Sequence, residues 1–272
     1  QSLIATKASR ITRAAKGRAM SEFGSRRAQG ADAAILGARA AYIGGVSATT
    51  LYNASKEFNI PSVAPMSHSW VQLFDDELEA FKIYLSEHGE DGMLLVDTYN
   101  VLKSGIPNAI KVFDEVLKPM GKRPKGIRID SGDITYLSKK ARKMLDDAGF
   151  PDCKICASTS LDEYIIRDML LQGAKVDTFG VGERLITSSS QPVFGGVYKL
   201  VAVEDENGVI TPKIKVSENS AKITNPGNKT VYRIYDNETG KIMSRMTNDL
   251  MDISELAHHG PENILISSIA VL

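Results

Sequence analysis

The stretch GIRIDSGDITYLSKKARKMLDDAG (126–149) decides the fold. It begins with a short β-prone run that ends at Asp130. After a Ser-Gly-Asp turn it continues with apolar residues at i, i+3 and i+4 spacing, up to a closing glycine. A strand that is followed directly by a helix is the repeating unit of a parallel sheet with right-handed crossovers. The sequence therefore predicts an α/β fold whose ligand side is the carboxyl edge of the sheet, where Asp130 lies.

The same alternation extends on both sides of this stretch, from about residue 60 to residue 190. It predicts either a barrel or an open doubly wound sheet. From about residue 194 the pattern changes to hairpins, with turns at 206–208 and 237–240. We therefore predict two domains, 1–193 and 194–272. The predicted strands of the first domain are IPSVAP (60–65), GMLLVD (92–97), GIRID (126–130), CKICAS (153–158) and VDTFGVG (176–182).

The charge composition excludes some classes of partner. The 272 residues carry 33 Lys+Arg and 33 Asp+Glu, so the formal net charge is zero. A protein that binds nucleic acid or a membrane surface is expected to be basic. No apolar run approaches the roughly 18 residues that a membrane helix needs. No secretory signal is visible at the start of the sequence. We therefore expect a cytoplasmic protein.

The ends of the sequence predict a fragment. It starts at Gln1 and stops inside the apolar run NILISSIAVL (263–272). A strand-like run is an unusual place for a polypeptide to end, so we expect these residues to be part of a longer protein.

The cysteines, Cys153 and Cys156, form a lone CxxC within a strand-like run. A redox pair is expected at a helix start, and a zinc site needs further ligands nearby. We interpret both cysteines as small buried side chains in a reducing compartment.

Polar or glycine residues close four successive predicted strands. Asp97, Asp130 and Ser158 end three of them, and Gly180 and Gly182 lie at the end of the fourth. Each alone could be only a helix cap or a turn. Together they predict one shared site at the carboxyl edge. Carboxylates suit sugar hydroxyls or a metal, and glycines let backbone N–H groups approach a phosphate.

Three further segments carry binding chemistry. In EFGSRRAQG (22–30), Phe23 and Arg26 favour stacking together with anion capture, although surface arginines are usually only solvated. GGVSATT (44–50) is either a helix cap or a cradle for a small carboxylate. His68, which lies between two serines in APMSHSW, is either structural or catalytic.

Five segments occur in an order that is known from one enzyme family: EFGSRRAQG, APMSHSW, LLVDTYNVLKSGIPNAI, GIRIDSGD and DTFGVGERLITSSSQPVFGGVYKL. From about residue 2 to residue 246 the chain resembles the nicotinate phosphoribosyltransferases. Members of that family are longer and begin with an N-terminal segment that is absent here. The resemblance implies a type II phosphoribosyltransferase fold. This is an irregular TIM-like α/β barrel, here 1–193, beside a smaller β-rich sandwich domain, to which 194–272 would belong.

The resemblance also implies an activity. The enzyme would transfer a 5-phosphoribosyl group from 5-phosphoribosyl 1-diphosphate to nicotinate, giving nicotinate mononucleotide and diphosphate. ATP hydrolysis would be coupled to the transfer through a phosphohistidine. This reaction is the entry of nicotinate into NAD salvage.

Roles near the base follow from the same resemblance. Phe23 resembles an aromatic residue that stacks on the pyridine ring, and Arg26 resembles an arginine that contacts base or phosphate. Ser47 and Thr49 lie in the place of the loop near the nicotinate carboxylate. Related nicotinamide enzymes carry an acidic residue about there, so Ser47 favours the acid as the substrate.

Further roles concern ATP and the phosphosugar. His68 matches the histidine that ATP phosphorylates, and Asp97 matches the carboxylate that orients it. Asp130 is the third expected catalytic residue, because a carboxylate can stabilise a cation-like ribose. The diphosphate, the ribose and the 5′-phosphate would be bound by Arg128, Asp130, Ser131, Ser158, Thr159, Gly180 and Gly182.

The implied partners are nicotinate, 5-phosphoribosyl 1-diphosphate and ATP, without nucleic acid or membrane. Mg²⁺ is expected to be held by diphosphate oxygens rather than by protein ligands. A homodimer or higher homo-oligomer is implied, because active sites in the family lie at a dimer interface. Two alternatives stay open: a related nicotinamide or quinolinate phosphoribosyltransferase, and a truncated fragment that binds the phosphosugar without turnover.

Overall fold

The structure is a computed structural model. The described residues are 1–195, 198–218, 223, 226–227, 231–236, 239, 242–244 and 264–269. The chain divides into two compact units, Gln1–Phe194 and Gly195–Leu272. This boundary lies one residue from the predicted division between 193 and 194. That the second unit belongs to a sandwich domain stays a prediction.

A parallel sheet of six strands forms the centre of the first unit. In chain order the strands are β1 (Ala19–Glu22), β2 (Ala48–Thr49), β3 (Met93–Leu95), β4 (Gly126–Ile129), β5 (Lys154–Ala157) and β6 (Thr178–Val181). Their order in the sheet is β2-β1-β6-β5-β4-β3, and every neighbouring pair is parallel. The sheet curls into half of a barrel, which confirms the predicted α/β class.

Helices alternate with these strands. They are α1 (Ser2–Ala14), α2 (Ala31–Ile43), α3 (Tyr52–Phe58), α4 (His68–Gln72), α5 (Glu77–His88), α6 (Ile106–Val112), α7 (Ile134–Asp147), α8 (Glu163–Leu171) and α9 (Glu183–Ile186). The termini of α7 show why the sequence forms a helix there. The side chain of Asp133 accepts a hydrogen bond from Tyr136 N at 3.0 Å, and Gly149 takes a φ of +84° just after the end.

One predicted strand is wrong. The run 60–65 forms a single bridge, between Ser62 and Thr49, instead of a strand. Thr49 N donates to Pro61 O, and Val63 N donates to Thr49 O. The pairing stops there because Pro61 and Pro65 have no N–H to donate to a ladder.

The core lies between the sheet and the helices around it. It is formed by aromatic and branched side chains that are fully buried, among them Phe81, Phe113 and Phe179. Cys153 and Cys156 are free and buried in the same core, which confirms the interpretation as packing residues. Burial raises the pKa of the Cys153 thiol to about 12, so it is neutral at physiological pH.

The second unit contains antiparallel pairs. β7 (Ala202–Glu204) pairs with β8 (Ile210–Pro212), and β9 (Val231–Asp236) pairs with β10 (Ile242–Ser244) and β11 (Ile264–Ile269). Both predicted hairpins are therefore confirmed. Gly208 takes a φ of +80° in the first turn, as a tight turn requires. The second predicted turn, 237–240, lies outside the described residues except for Thr239. In the described ranges no helix has the length and apolar character needed to cross a membrane.

Candidate active site

A cavity of about 570 Å³ opens at the carboxyl edge of the parallel sheet. This volume lies in the range that small-molecule sites occupy. The residues that line it come from the ends of five strands of the barrel and from the start of α4. They are Phe23, Ser25, Arg26, Arg27, Thr50, Pro65, Met66, Ser67, His68, Ser69, Arg128, Asp130, Ser158, Thr159, Ser160, Gly182 and Glu183.

Asp97 organises the turn that follows β4. Its Oδ2 accepts hydrogen bonds from Asp130 N at 3.1 Å and from Ser131 Oγ at 2.5 Å. The other oxygen, Oδ1, is buried and has no hydrogen-bond partner among the described residues. Asp97 and Ser131 thus lie behind the cavity lining. An unpaired buried carboxylate oxygen is costly, and the ring of His68 faces this one with its Nε2 3.9 Å away.

The ring of His68 is held by a residue that the sequence did not suggest. His68 Nδ1 lies 3.1 Å from Thr98 Oγ1, and which atom donates depends on the tautomer. His68 Nε2 faces two carboxylates, 3.6 Å from Asp130 Oδ2 and 3.9 Å from Asp97 Oδ1. The Asp97 distance is too long for a hydrogen bond. The predicted orienting role of Asp97 stays a prediction, and Thr98 is the direct partner of the ring.

Asp130 faces the cavity and is not the cap of the following helix. The cap of α7 is Asp133. Asp130 Oδ1 accepts a hydrogen bond from Ser158 Oγ at 2.6 Å, and its side chain is one-third exposed. The carboxylate is therefore fixed on one side by Ser158 and open on the other. Thr159, next along the chain, also lines the cavity.

Arg128 and Phe23 form another part of the cavity lining. Arg128 is buried, and its Nη2 donates to Met66 O at 2.9 Å. Its guanidinium carbon lies 5.7 Å from the centre of the Phe23 ring, a cation–π distance. Arg128 Nε is buried without a hydrogen-bond partner in the described part of the chain. A positive charge beside an aromatic face can bind a planar anion.

The two glycines of the predicted phosphate loop do different things. A Cβ added to Gly180 would lie within 3.0 Å of three atoms of the Phe23 ring, so this glycine makes room for the ring. Gly182 lines the cavity, and Gly24 approaches it so closely that a Cβ on Gly24 would lie 2.7 Å from Gly182 O. Arg26 is exposed at the same side of the cavity.

The structure does not bring Ser47 to the cavity. Ser47 is exposed and precedes β2, where its N–H donates to Met20 O at 2.8 Å. Thr49 is buried, and its hydroxyl donates to Glu22 Oε2 at 2.7 Å. Thr50 is the residue of this loop that lines the cavity. No local signal shows this, because β2 has only two residues and the alternation of side chains cannot be read over so short a strand.

Of the predicted site residues, eight line one cavity and five do not, within the described part of the chain. The eight are Phe23, Arg26, His68, Arg128, Asp130, Ser158, Thr159 and Gly182. The five are Ser47, Thr49, Asp97, Ser131 and Gly180. No group of three or more His, Cys, Asp or Glu side chains in the described ranges could hold a metal ion. A cation at this site would need oxygens from a ligand in addition to Asp130.

Comparisons with known proteins point to one family. No protein-family model matches the sequence. The chain is 53% identical over 236 residues to the nicotinate phosphoribosyltransferase of Bacillus subtilis (strain 168), which covers 86% of this chain and 47% of the relative. It is 35% identical over 294 residues to the nicotinate phosphoribosyltransferase of Dictyostelium discoideum, covering 91% of this chain and 49% of the relative. The chain thus spans about half the length of these relatives.

Solved structures show the same fold. The nicotinate-nucleotide pyrophosphorylase of Pyrococcus furiosus superposes with a TM-score of 0.68 at 25% identity, covering 97% of this chain and 61% of that one. Human nicotinic acid phosphoribosyltransferase superposes with a TM-score of 0.66 at 23% identity, covering 86% and 52%. The type II phosphoribosyltransferase fold that the motifs implied is thereby confirmed.

Proposed function

We propose that this chain, a homologue of the nicotinate phosphoribosyltransferases over about half of their length, carries the catalytic cavity of such an enzyme. The reaction is transfer of a 5-phosphoribosyl group from 5-phosphoribosyl 1-diphosphate to nicotinate, in NAD salvage. The observation that supports it most is the convergence of Phe23, Arg128, His68, Asp130 and Ser158 on one cavity.

The base would bind on the side of Phe23. A pyridine ring can stack on the phenyl face, and the guanidinium of Arg128, 5.7 Å from the centre of that ring, supplies a positive charge for an anionic group. A carboxylate satisfies such a donor better than a neutral amide does. This arrangement supports nicotinate rather than nicotinamide as the base.

The ribose would react beside Asp130. As diphosphate leaves, the anomeric carbon becomes cation-like, and a fixed carboxylate stabilises that charge electrostatically. Ser158 holds Asp130 in place through the 2.6 Å hydrogen bond. Thr159 and the backbone at Gly182 provide neutral donors that suit the 5′-phosphate.

ATP coupling would pass through His68. The Nε2 lone pair would attack the γ-phosphorus, so that the Nε2–P bond forms, the bond from phosphorus to the ADP oxygen breaks, and ADP leaves. The ring proton would stay on Nδ1, directed at Thr98 Oγ1. Later hydrolysis of the phosphohistidine would drive synthesis.

Mg²⁺ fits the donors of the cavity as an ion shared with the substrate. Asp130 offers a partly exposed carboxylate, the oxygen type that Mg²⁺ prefers, and the described residues lack a complete protein cage. When bound, the ion would neutralise the charge of the diphosphate. We include a homodimer or higher homo-oligomer in the proposal on the basis of the family resemblance.

The test is an assay of the full-length protein with three bases: nicotinate, nicotinamide and quinolinate. We expect nicotinate to exceed nicotinamide by about two orders of magnitude in kcat/KM, because a charge-assisted hydrogen bond is worth up to about 3 kcal/mol. Comparable rates with nicotinate and nicotinamide would contradict the proposal. Binding of 5-phosphoribosyl 1-diphosphate without any product would instead indicate a non-catalytic binding protein.

A further inference from the structure

A buried carboxylate lies behind the Phe23 side of the cavity and has no part in the roles above. Glu22 is the last residue of β1 and is 1% exposed. Its Oε2 accepts a hydrogen bond from Thr49 Oγ1 at 2.7 Å, and its Oε1 accepts one from Gly24 N. The backbone N–H of Ser25 also hydrogen-bonds this carboxylate, so the donors are one hydroxyl and two backbone amides, and all of them are neutral.

Stability alone does not explain an acidic residue at this position. Burying a carboxylate among neutral partners is unfavourable, and burial raises the pKa of Glu22 although the hydrogen bonds from Thr49 and Gly24 act in the opposite direction. A methionine or leucine would fill similar space without this penalty. The reason for Glu22 has to be sought in what its two oxygens hold.

Those two oxygens join the ends of two neighbouring strands. Thr49 precedes Thr50, which lines the cavity, and Thr50 also donates to Glu22 O through its N–H (3.0 Å) and its hydroxyl (3.3 Å). Gly24 follows Phe23 directly. Gly24 has no freedom to shift toward α9, because even a Cβ there would lie 2.6 Å from Ile186 Cβ. Glu22 is thus bonded to the residue after Phe23 and to the residue before Thr50.

We propose that Glu22 is a positioning residue for the aromatic base: through Gly24 and Thr49 it sets the distance between the Phe23 ring and Thr50, the two groups that face the same ligand. The inference rests on the proposed function, and it deepens it by naming a residue that acts on the base and not on the phosphosugar. The expected signature is a change in KM for nicotinate that KM for 5-phosphoribosyl 1-diphosphate does not share.

The experiment replaces Glu22 by glutamine in the full-length protein. The amide keeps the shape but turns one acceptor into a donor, so the Thr49 hydroxyl must reorient. We expect KM for nicotinate to rise about tenfold, while kcat and KM for 5-phosphoribosyl 1-diphosphate stay within about twofold. Thr49→Val should reproduce this effect and Thr49→Ser should not. The Glu22→Gln/Thr49→Val double variant should be no worse than the more impaired single variant, because both remove one interaction.

Glu163→Gln is the matched control. Glu163 is also a buried glutamate, but it lies on α8 and is paired with Lys7 at 2.7 Å, outside the cavity lining. This variant should lower Tm and leave both KM values unchanged. A Glu22→Gln variant that behaves in the same way, or that raises both KM values equally, would overturn the inference. If Glu22→Gln does not fold, the Thr49→Val and Thr49→Ser pair decides the question alone.

Measurements on the wild-type protein distinguish a failure of the proposed function from a failure of the inference about Glu22. Calorimetric titration with nicotinate and the turnover assay are done first. A wild type that neither binds nicotinate nor forms the mononucleotide contradicts the proposed function, and with it the role of Glu22. A wild type that does both, combined with an unchanged KM for nicotinate in Glu22→Gln and Thr49→Val, contradicts only the inference about Glu22.

Discussion

The two sides of the cavity are built in different ways. We call Glu22, Phe23, Thr49 and Gly180 the aromatic wall, and His68, Asp97, Asp130 and Ser158 the polar wall. In the aromatic wall both oxygens of the buried carboxylate have hydrogen bonds, and the ring lies against a glycine that leaves no space for a side chain. In the polar wall Asp97 Oδ1 has no partner among the described residues, and Asp130 and His68 are partly exposed.

This difference indicates two kinds of preorganisation. Packing fixes the aromatic wall before a ligand arrives, whereas the polar wall keeps hydrogen-bonding capacity that a ligand could complete. Substitutions of His68 and Asp130, the partly exposed residues of the polar wall, should therefore change chemistry with little effect on folding. Substitutions in the aromatic wall should change binding and stability together. Four measurements test this contrast.

The largest effect is expected from His68→Ala. We expect loss of ATP hydrolysis and of its coupling, with a weak ATP-independent transferase activity left, because the ribosyl chemistry would use Asp130 and the phosphate-binding groups. Incubation with γ-labelled ATP followed by acid treatment gives the measurement, since phosphohistidine is acid-labile and alkali-stable. Label that survives acid, or that persists in the variant, would show that another residue is phosphorylated.

Two further variants compare how much each neighbour of the His68 ring contributes to the rate of labelling. Asp97→Asn and Thr98→Val should each slow labelling without abolishing it. The structure places the hydroxyl at hydrogen-bond distance and the carboxylate beyond it, so Thr98→Val should have the larger effect. Equal labelling rates in Thr98→Val and wild type would show that this contact does not orient the ring.

The next effect is expected from Asp130→Asn. Loss of the fixed charge should lower kcat by about 10²–10³-fold, the usual consequence of removing one electrostatic stabiliser of a transition state. Tm should change by no more than about 2 °C, because α7 is capped by Asp133 and not by Asp130. A variant with a much lower Tm and unchanged specific activity would place Asp130 among the structural residues and weaken the contrast between the walls.

A smaller, mixed effect is expected from Gly180→Ala in the aromatic wall. The added methyl would overlap the Phe23 ring, and relief of such overpacking typically costs about 1–3 kcal/mol. We expect both a lower Tm and a higher KM for nicotinate. Gly17→Ala offers no such clash, since nothing lies within 4 Å of its added Cβ, but its φ of +81° should lower Tm by itself. A Gly180→Ala protein with an altered Tm and an unchanged KM for nicotinate would show that the position of the Phe23 ring does not affect binding of the base.

The smallest effect concerns the sheet that carries both walls. Cys153 and Cys156 are buried, and burial raises the pKa of both thiols, that of Cys153 to about 12. At pH 8 only about one Cys153 thiol in 10⁴ is ionised. Ellman's reagent should therefore detect neither cysteine in the native protein and both after unfolding. Rapid native reaction would show that the strands under the cavity open easily.

The sequence predicted the β/α alternation well, because the spacing of apolar residues in amphipathic helices and in buried strands is a pattern within each short segment. The closing glycine of α7, Gly149, was visible for the same reason. The run 60–65 misled because its apolar content suggested a strand, while its two prolines remove the donors that pairing needs. Such a run has the apolar composition of a strand but cannot form the hydrogen bonds between strands.

The candidate site was predicted less evenly. Asp130 and Asp133 are three residues apart and both suit a cap, and only the backbone path decides that Asp133 takes this role. Thr50 was missed, and Ser47 and Thr49 were expected near the base instead, because β2 has only two residues, too few for alternation to indicate which side chain faces the cavity. Thr98 and Glu22 were missed because their roles depend on contacts between elements that are distant in the sequence: Thr98 contacts His68 on α4, and Glu22 contacts Thr49 on β2. No local pattern reports such contacts.

The position of β1 in the sheet has a consequence for how the protein folds. β1 pairs with β6, and Arg18 Nε bonds Val176 O across 158 residues of sequence. During synthesis, β3, β4 and β5 can pair with their neighbours soon after they emerge. β1 and β2 can pair with each other, but they cannot join the rest of the sheet until β6 has been made. Closing so long a loop is a slow step, and the unpaired edges are exposed to other chains meanwhile. The base-binding side of the cavity would therefore be the last part to assemble, and a chaperone that shields those two strands would act on nascent chains that end before residue 178.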